Sequence, residues 1–407
     1  MATVKKVSRL KAGEFKLNTL LDITKAINNN LPEGELFSLF QGVLKVGLNI
    51  GKAIVFINQD EAWPCVLHYG ANQTEIQLDV EKELSAVSDI TVLDTSRLKG
   101  DSQFDVVIPV FHRSKKIAYV MLGDLDEDEL KISPIVKHLS FIQTLANIIV
   151  VAVENKRLVK ESIEREHFQK QLAMAREIQE TLLPDILPDD SELQIASHYQ
   201  PHSEVGGDLY DVIKISENET IFCLADISGK GMSAALLMAN FQANLRAFLS
   251  VDSDLTSLLL RLNERMWNTA KGDRFVTLFV AKYNKKTHWL EYINAAHPPP
   301  IMIENGYGLE LRSGCVGLGM FEEIPSINVG KIKVKKDAIL VCFTDGLSEV
   351  ENVMGEQFNE KGLTEIVCSR SFSSMKDLNE VIIKELHDYK GQAPFEDDIA
   401  LISCRFF

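Results

Sequence analysis

From Ile135 to Leu183 the chain contains neither glycine nor proline. No residue there removes a backbone donor or opens positive-φ conformations, so nothing local interrupts a helix. Ser133-Pro134 supplies an N-cap followed by proline at the first helical position, and Pro184 and Pro188 stop the helix and keep the exit extended. At 1.5 Å rise per residue such a segment reaches roughly 70 Å, more than one domain needs for its own core. The chain is therefore expected to fall into an N-terminal domain over 1–132, a helical linker over 133–188 and a C-terminal domain over 189–407. Val159, Ile163, Leu172, Ala175, Ile178 and Leu182 make an imperfect apolar stripe among charged residues. That pattern fits a coiled coil that finds its partner surface in a second copy of the chain, hence a homodimer; the alternative is a solvated linker helix.

The sequence has 407 residues, 45% hydrophobic and 25% charged, which suits two globular cores. A net charge of -15 repels nucleic-acid backbones and anionic membranes, so neither is an expected partner. The six cysteines show no C-x-x-C spacing and most lie in apolar runs, as reduced core residues of a cytoplasmic protein do. The N-terminus has no apolar stretch of signal-peptide length, and the most apolar run, Leu145 to Val153, is shorter than a bilayer span.

Before the helix, two amphipathic patterns, Leu17 to Ile27 and Leu36 to Val46, precede strand-like runs at Lys52 to Asn58, Cys65 to Tyr69, Val106 to Phe111 and Lys116 to Leu125. The link His112 to Lys115 is of hairpin length, which predicts an antiparallel sheet in an α+β domain. In pattern and position this region resembles a GAF domain, a sensor module, with a PAS-like sensor as the rival. The resemblance implies an unnamed small ligand or protein as its input.

After Pro188 strands and helices alternate. Strands are expected at Leu193 to His198, Tyr210 to Ile215, Thr220 to Asp226, Phe275 to Asn284, Trp289 to Ala296, Ala338 to Thr344 and Ile399 to Arg405. Helices are expected at Ser233 to Leu249, Leu255 to Thr269 and Met375 to Tyr389. Four acidic sites stand at strand ends or beside glycines: Asp208 after Gly206-Gly207, Asp226 before Ile227-Ser228-Gly229, Asp345 before Gly346, and Asp397-Asp398. A carboxylate just past a buried strand is held by the sheet while its head reaches the rim, and hard oxygen ligands suit Mg²⁺ or Mn²⁺. Singly, each reads equally as a turn or cap residue.

Their order and neighbours are more specific. G-G-D-L-Y-D (Gly206 to Asp211), D-I-S-G-K-G-x-x-A-A (Asp226 to Ala235), N-A-A-H-P-P (Asn294 to Pro299), T-D-G-L-S-E (Thr344 to Glu349) and D-D-I (Asp397 to Ile399) resemble the PPM (2C-type) metal-dependent Ser/Thr phosphatases, in their bacterial SpoIIE/RsbU branch. The resemblance implies an α-β-β-α sandwich with two divalent metals, Mn²⁺ or Mg²⁺, at one edge. Asp226 would bridge them, Asp345 and Asp397 would complete the first, and the Ile227 carbonyl and Asp208 would serve the second. Asp398 stands behind Asp397, or replaces it if the register shifts by one.

Two such ions about 3.5–4 Å apart acidify a shared water, and the hydroxide attacks phosphorus without a protein nucleophile. Lys230, between two glycines, is a candidate contact for the substrate phosphate or a solvated lysine at a helix entry. His297, among prolines, reads more as a rigid turn than as a general acid. Glu349, one turn past Asp345, reads as a local cap or pair. The arginine that binds phosphate in animal relatives has no counterpart beside Gly206-Gly207. The expected function is that of a signal-regulated protein serine/threonine phosphatase whose substrate, by resemblance, is a STAS-domain regulator of the anti-anti-sigma kind. The alternatives are a pseudophosphatase scaffold and a two-metal nucleotide-processing enzyme.

Overall fold

The computed structural model describes residues 2–60, 62–93, 104–123 and 134–407, with side chains from residue 11 onward. Ser133 and Leu125, expected as helix cap and strand end, lie outside the described residues. The chain divides into two compact units, Met1–Glu166 and His167–Phe407.

In the first unit, α1 (Ala2–Asn28) and α2 (Glu33–Gly42), the latter extended by a π-helical turn Val43–Gly47, lead into β1 (Lys52–Ile57) and β2 (Cys65–Tyr69). Two short helices, α3 (Gln73–Ile76) and α4 (Val80–Leu84), precede β3 (Thr91–Val92), β4 (Val106–His112) and β5 (Lys115–Gly123). The sheet order is β2-β1-β5-β4-β3, with every pairing antiparallel. The expected hairpin closes at the pair His112–Lys115, with Arg113 taking a left-handed φ of 55° in the two-residue turn.

Strand β1 is buried along its whole length because both faces of the sheet are covered. Ala53, Val55 and Ile57 join one core with Phe37 and Phe40, while Ile54 and Phe56 face Val80 and Leu84 of α4. The long helix α5 (Pro134–Glu180) enters the first core through Ile142, Leu145, Ala146, Ile149 and Val150. Its N-terminal part is apolar and long enough by composition to cross a membrane, and part of that stretch is buried in this core.

The second unit takes up α5 from His167 to its end at Glu180 and continues with β6 (Leu193–Gln200), β7 (Leu209–Lys214), β8 (Glu219–Ile227), α6 (Met232–Leu249) and α7 (Leu255–Ala270). Strands β9 (Val276–Asn284), β10 (Trp289–Ala295), β11 (Ile301–Glu304), β12 (Tyr307–Glu310), β13 (Gly314–Cys315), β14 (Gly330–Lys333) and β15 (Ala338–Phe343) follow. The unit ends with α8 (Asp345–Ser348), α9 (Asn359–Ser369), α10 (Met375–Lys390) and β16 (Ile399–Phe406).

Two sheets form. One runs β13-β10-β9-β8-β7 with β14 on β10, the other β12-β11-β15-β16-β6. Period-two alternation assigns the layers: Leu340, Cys342, Ala400, Ile402 and Cys404 enter the core shared with β8, β9 and β10, while Val341, Phe343, Ile399 and Leu401 pack on α9 and α10. Helices α6 and α7 cover the other sheet through Met238, Phe241, Leu258 and Leu262. This is the expected α-β-β-α sandwich. All six cysteines are free; Cys368, expected in the core, is exposed on α9.

Candidate metal centre

Each sheet delivers carboxylates to the same edge. From the first come Asp208, just ahead of β7, and Asp226, the penultimate residue of β8; from the second come Asp345, just past β15, and Asp397 and Asp398, just ahead of β16. Their mutual repulsion shows they share one region. Burial, then the charges of Asp226, Asp398 and Asp345, push the Asp208 carboxyl far above the usual carboxylate range. Asp226 is raised to about 7 by burial and by Asp345, Asp397 and Asp398. Asp345 is raised by burial and by Asp397. Among the described residues, no three acidic, histidine or cysteine side chains are already closed around one point.

The two neighbouring aspartates at β16 are held differently. Asp398 accepts the amide of His202 on Oδ1 at 2.8 Å and that of Gly207 on Oδ2 at 2.7 Å, and is buried. It therefore ties the loop carrying Asp208 to the strand entry of the opposite sheet. Asp397 is half exposed; its Oδ1 accepts the Asp398 amide at 2.9 Å and its Oδ2 meets Lys230 Nζ at 2.9 Å.

Glycines make these approaches feasible. A Cβ on Gly206 would stand 2.4 Å from Asp398 Oδ2, and one on Gly207 would stand 2.8 Å from the Ile227 carbonyl oxygen, which places that carbonyl against the Asp208 loop. A Cβ on Gly346 would lie 1.9 Å from the Asp398 carbonyl. Gly346→Ala must therefore force Asp345 and the Asp397–Asp398 turn apart, at a cost of about 1–3 kcal/mol. The expected result is a lower unfolding midpoint together with weaker Mg²⁺ binding by calorimetry; an unshifted midpoint would contradict this packing.

The donor set fits a hard divalent cation: buried carboxylates, a backbone carbonyl, and Asp208 Oδ2, which is buried without a hydrogen-bond partner. His297 is held inside the fold at the turn after β10. It is buried, its Nδ1 contacts Thr277 Oγ1 at 2.9 Å, and burial lowers its pKa to about 3, so the ring is neutral. The turn preceding it places Ala296 at a φ of 54°. The Glu349 carboxyl is raised by burial and by the charges of Asp345 and Asp397.

Other residues that frame the site had no role assigned from the sequence, although Asp211 closes the G-G-D-L-Y-D motif. Gln179, near the end of α5, grips both backbone groups of Gly206: Nε2 donates to its carbonyl at 2.7 Å and Oε1 accepts its amide at 3.1 Å. Asp211 is completely buried and accepts a fork from Arg246, Nε at 2.7 Å and Nη2 at 2.9 Å. Gln242 donates to Asp211 at 3.2 Å and to the Leu182 carbonyl at 2.6 Å.

The second unit is thus a two-sheet sandwich with an acidic cluster at one edge. The sequence profile of the family described as Stage II sporulation protein E (SpoIIE) matches residues 216–407, which includes Asp226, Asp345, Asp397 and Asp398 and begins just after Asp208. The chain is 26% identical to Protein IcfG of Synechocystis sp. over 73% of its own length and 51% of that protein's. It is 26% identical to the phosphoserine phosphatase RsbU of Bacillus subtilis over 59% of this chain and 71% of RsbU. The SiaA-PP2C domain of Pseudomonas aeruginosa shares the fold, with a TM-score of 0.54 at 19% identity over 60% of this chain and 99% of that domain. Over residues 216–407, just under half of the chain, the C-terminal domain is thus similar to the SpoIIE/RsbU branch of the PPM phosphatases. The match spans only about half of IcfG.

Proposed function

We propose that the protein is a signal-regulated protein serine/threonine phosphatase with two divalent metals, Mg²⁺ or Mn²⁺, held by Asp208, Asp226, the Ile227 carbonyl, Asp345 and Asp397. The observation that carries this reading is the convergence of carboxylates from both sheets on one edge, with the pKa values of Asp208, Asp226 and Asp345 raised by burial and by one another's charge. Such ions, when bound, acidify a water for in-line attack on phosphorus and neutralise the phosphoryl oxygens. The chain's own contribution is placement. Asp226 is fixed by its strand pairing with Thr277, and Asp345 by its place at the start of α8. Asp398, with both oxygens on backbone amides, orients the Asp208 loop, which favours Asp397 over Asp398 as the direct ligand. Lys230, on the rim beside Asp397, is the proposed contact for the substrate phosphate.

The substrate we infer is a phosphoserine or phosphothreonine of a STAS-domain regulator in the cytoplasm; RsbU and RsbP, which this chain resembles, are described as phosphoserine phosphatases. The N-terminal unit serves as a GAF-like sensor, and α5 as the transmitter between it and the phosphatase. Exposed Val159, Ile163, Phe168, Met174 and Ile178 on α5 support pairing with a second copy. The grip of Gln179 on Gly206, two residues from Asp208, supports α5 as the element that sets the metal loop.

The test is hydrolysis of p-nitrophenyl phosphate by the full chain. Turnover is expected with Mn²⁺ or Mg²⁺ and not in chelator, and removal of Met1 to Asn155 is expected to change the rate. Absence of metal-dependent turnover in both forms would leave the pseudophosphatase reading; an unchanged rate after truncation would remove the transmitter.

A further inference from the structure

The loop between β8 and α6 holds a cation where a metal ligand is expected. Lys230 Nζ lies 2.9 Å from Asp397 Oδ2 and donates to the Glu396 carbonyl at 2.7 Å, so the ammonium sits on two oxygens of the strand-entry turn. The remaining Asp397 oxygen is taken by the Asp398 amide at 2.9 Å. In this arrangement Asp397 is satisfied by its own chain, whereas Asp208 Oδ2 is buried without a hydrogen-bond partner among the described residues.

We propose that Lys230 is an intramolecular stand-in for a divalent cation: its ammonium occupies Asp397 in the metal-free protein and is expelled when the metal binds there. A single positive charge partly relieves the repulsion in the cluster. A divalent ion at Asp397 relieves it further and, at a separation of a few ångström, repels the ammonium.

The pair is built to be displaced. The Lys230 side chain is 60% exposed and that of Asp397 47%, and ion pairs this open to water are weak. The backbone on the helix side has room to adapt, since a Cβ on Gly231 would meet nothing within 4 Å, while Gly229 on the other side is packed against Arg274. Released, Lys230 stays on the rim, free for the substrate phosphate. Metal loading and readiness for the anionic substrate thus become one event.

The proposal rests on Asp397 being a metal ligand, and the experiment separates the two. Lysines of the full chain are acetylated with an N-hydroxysuccinimide ester in Mg²⁺ or in chelator, and each rate is read by mass spectrometry. Mg²⁺ is expected to raise the Lys230 rate about two- to five-fold, the range an exposed pair of this kind spans, while exposed Lys82 and Lys376 stay unchanged. Asp397→Asn is expected to give the fast Lys230 rate in chelator already. Calorimetry of Lys230→Gln is expected to show Mg²⁺ bound about two- to five-fold more tightly than by wild type. Mg²⁺ binding without any rise in Lys230 labelling overturns the stand-in and leaves the metal site intact. Absence of any Mg²⁺ binding to wild type overturns both.

Discussion

Asp226→Asn is expected to lower metal-dependent phosphate-ester hydrolysis on the order of 10³-fold or more while making the metal-free protein more stable at neutral pH. The loss follows from the position of Asp226, which lies between the Asp208 loop and the Asp345 and Asp397 turns and is the proposed bridge between two ions. Removing several kcal/mol of metal-derived transition-state stabilisation costs a factor of ten for each 1.36 kcal/mol. The gain in stability comes from the burial of Asp226 and its crowding by the neighbouring carboxylates. In the folded, metal-free protein Asp226 titrates at about 7, against 3.8 as its ordinary value. Between those values the folded chain keeps a proton that the unfolded chain has released, so this group destabilises the fold increasingly as pH rises from about 4 to about 7.

Asparagine carries no such charge. Denaturant unfolding in chelator at pH 5 and pH 8 should therefore show wild type losing about 2–3 kcal/mol more than Asp226→Asn over that interval. Parallel pH profiles for the two proteins would mean that the carboxylates are not crowded in solution. Undiminished turnover by the variant would remove Asp226 from the reaction.

Arg246→Ala is expected to destabilise the C-terminal unit by about 3–5 kcal/mol, the range for breaking a buried pair from one side. The asymmetry of exposure decides the sign: the Arg246 side chain is 50% exposed and can be hydrated alone, but Asp211 is at 0% and cannot. With the guanidinium gone, Asp211 keeps only the Val212 amide at 2.8 Å and the long Gln242 contact. Asp211→Asn in the same chain should recover part of the loss, because an amide in that pocket has no charge to desolvate. Equilibrium unfolding of the two single variants and the double variant measures this coupling; strict additivity would contradict it. Since Gln242 also holds the Leu182 carbonyl, the exit of α5 should loosen in Arg246→Ala, seen as faster amide exchange around Leu182 and Leu183.

Local pattern explains why the long helix, the principal strands β6–β10, β15 and β16, and helices α6, α7 and α10 were legible. Each is long enough for its hydrophobic period to emerge. The short strands β11 to β14 and helix α9 were not. Strand β12 is exposed at every position and so shows no alternation, and α9 contains Gly362, which lowers its helical signal.

The aspartates could be singled out because strand ends, flanking glycines and their order along the chain are one-dimensional properties. What surrounds them is different in kind. The bond from the Gly207 amide to Asp398 joins positions 191 residues apart, and the Lys230 bond to the Glu396 carbonyl spans 166. Neighbouring Asp397 and Asp398 are chemically identical in sequence, yet one faces a cation on the rim and the other is buried under two amides. Gln179 among the glutamines of α5, and Arg246 among the charges of α6, likewise have no distinguishing neighbours. The sequence by itself determined which carboxylates reach a sheet edge, since the period of a strand decides which residues leave it. Only the packing of two sheets decided that those edges meet, because Coulomb repulsion, amide capture and ammonium pairing depend on distances of a few ångström between residues far apart along the chain.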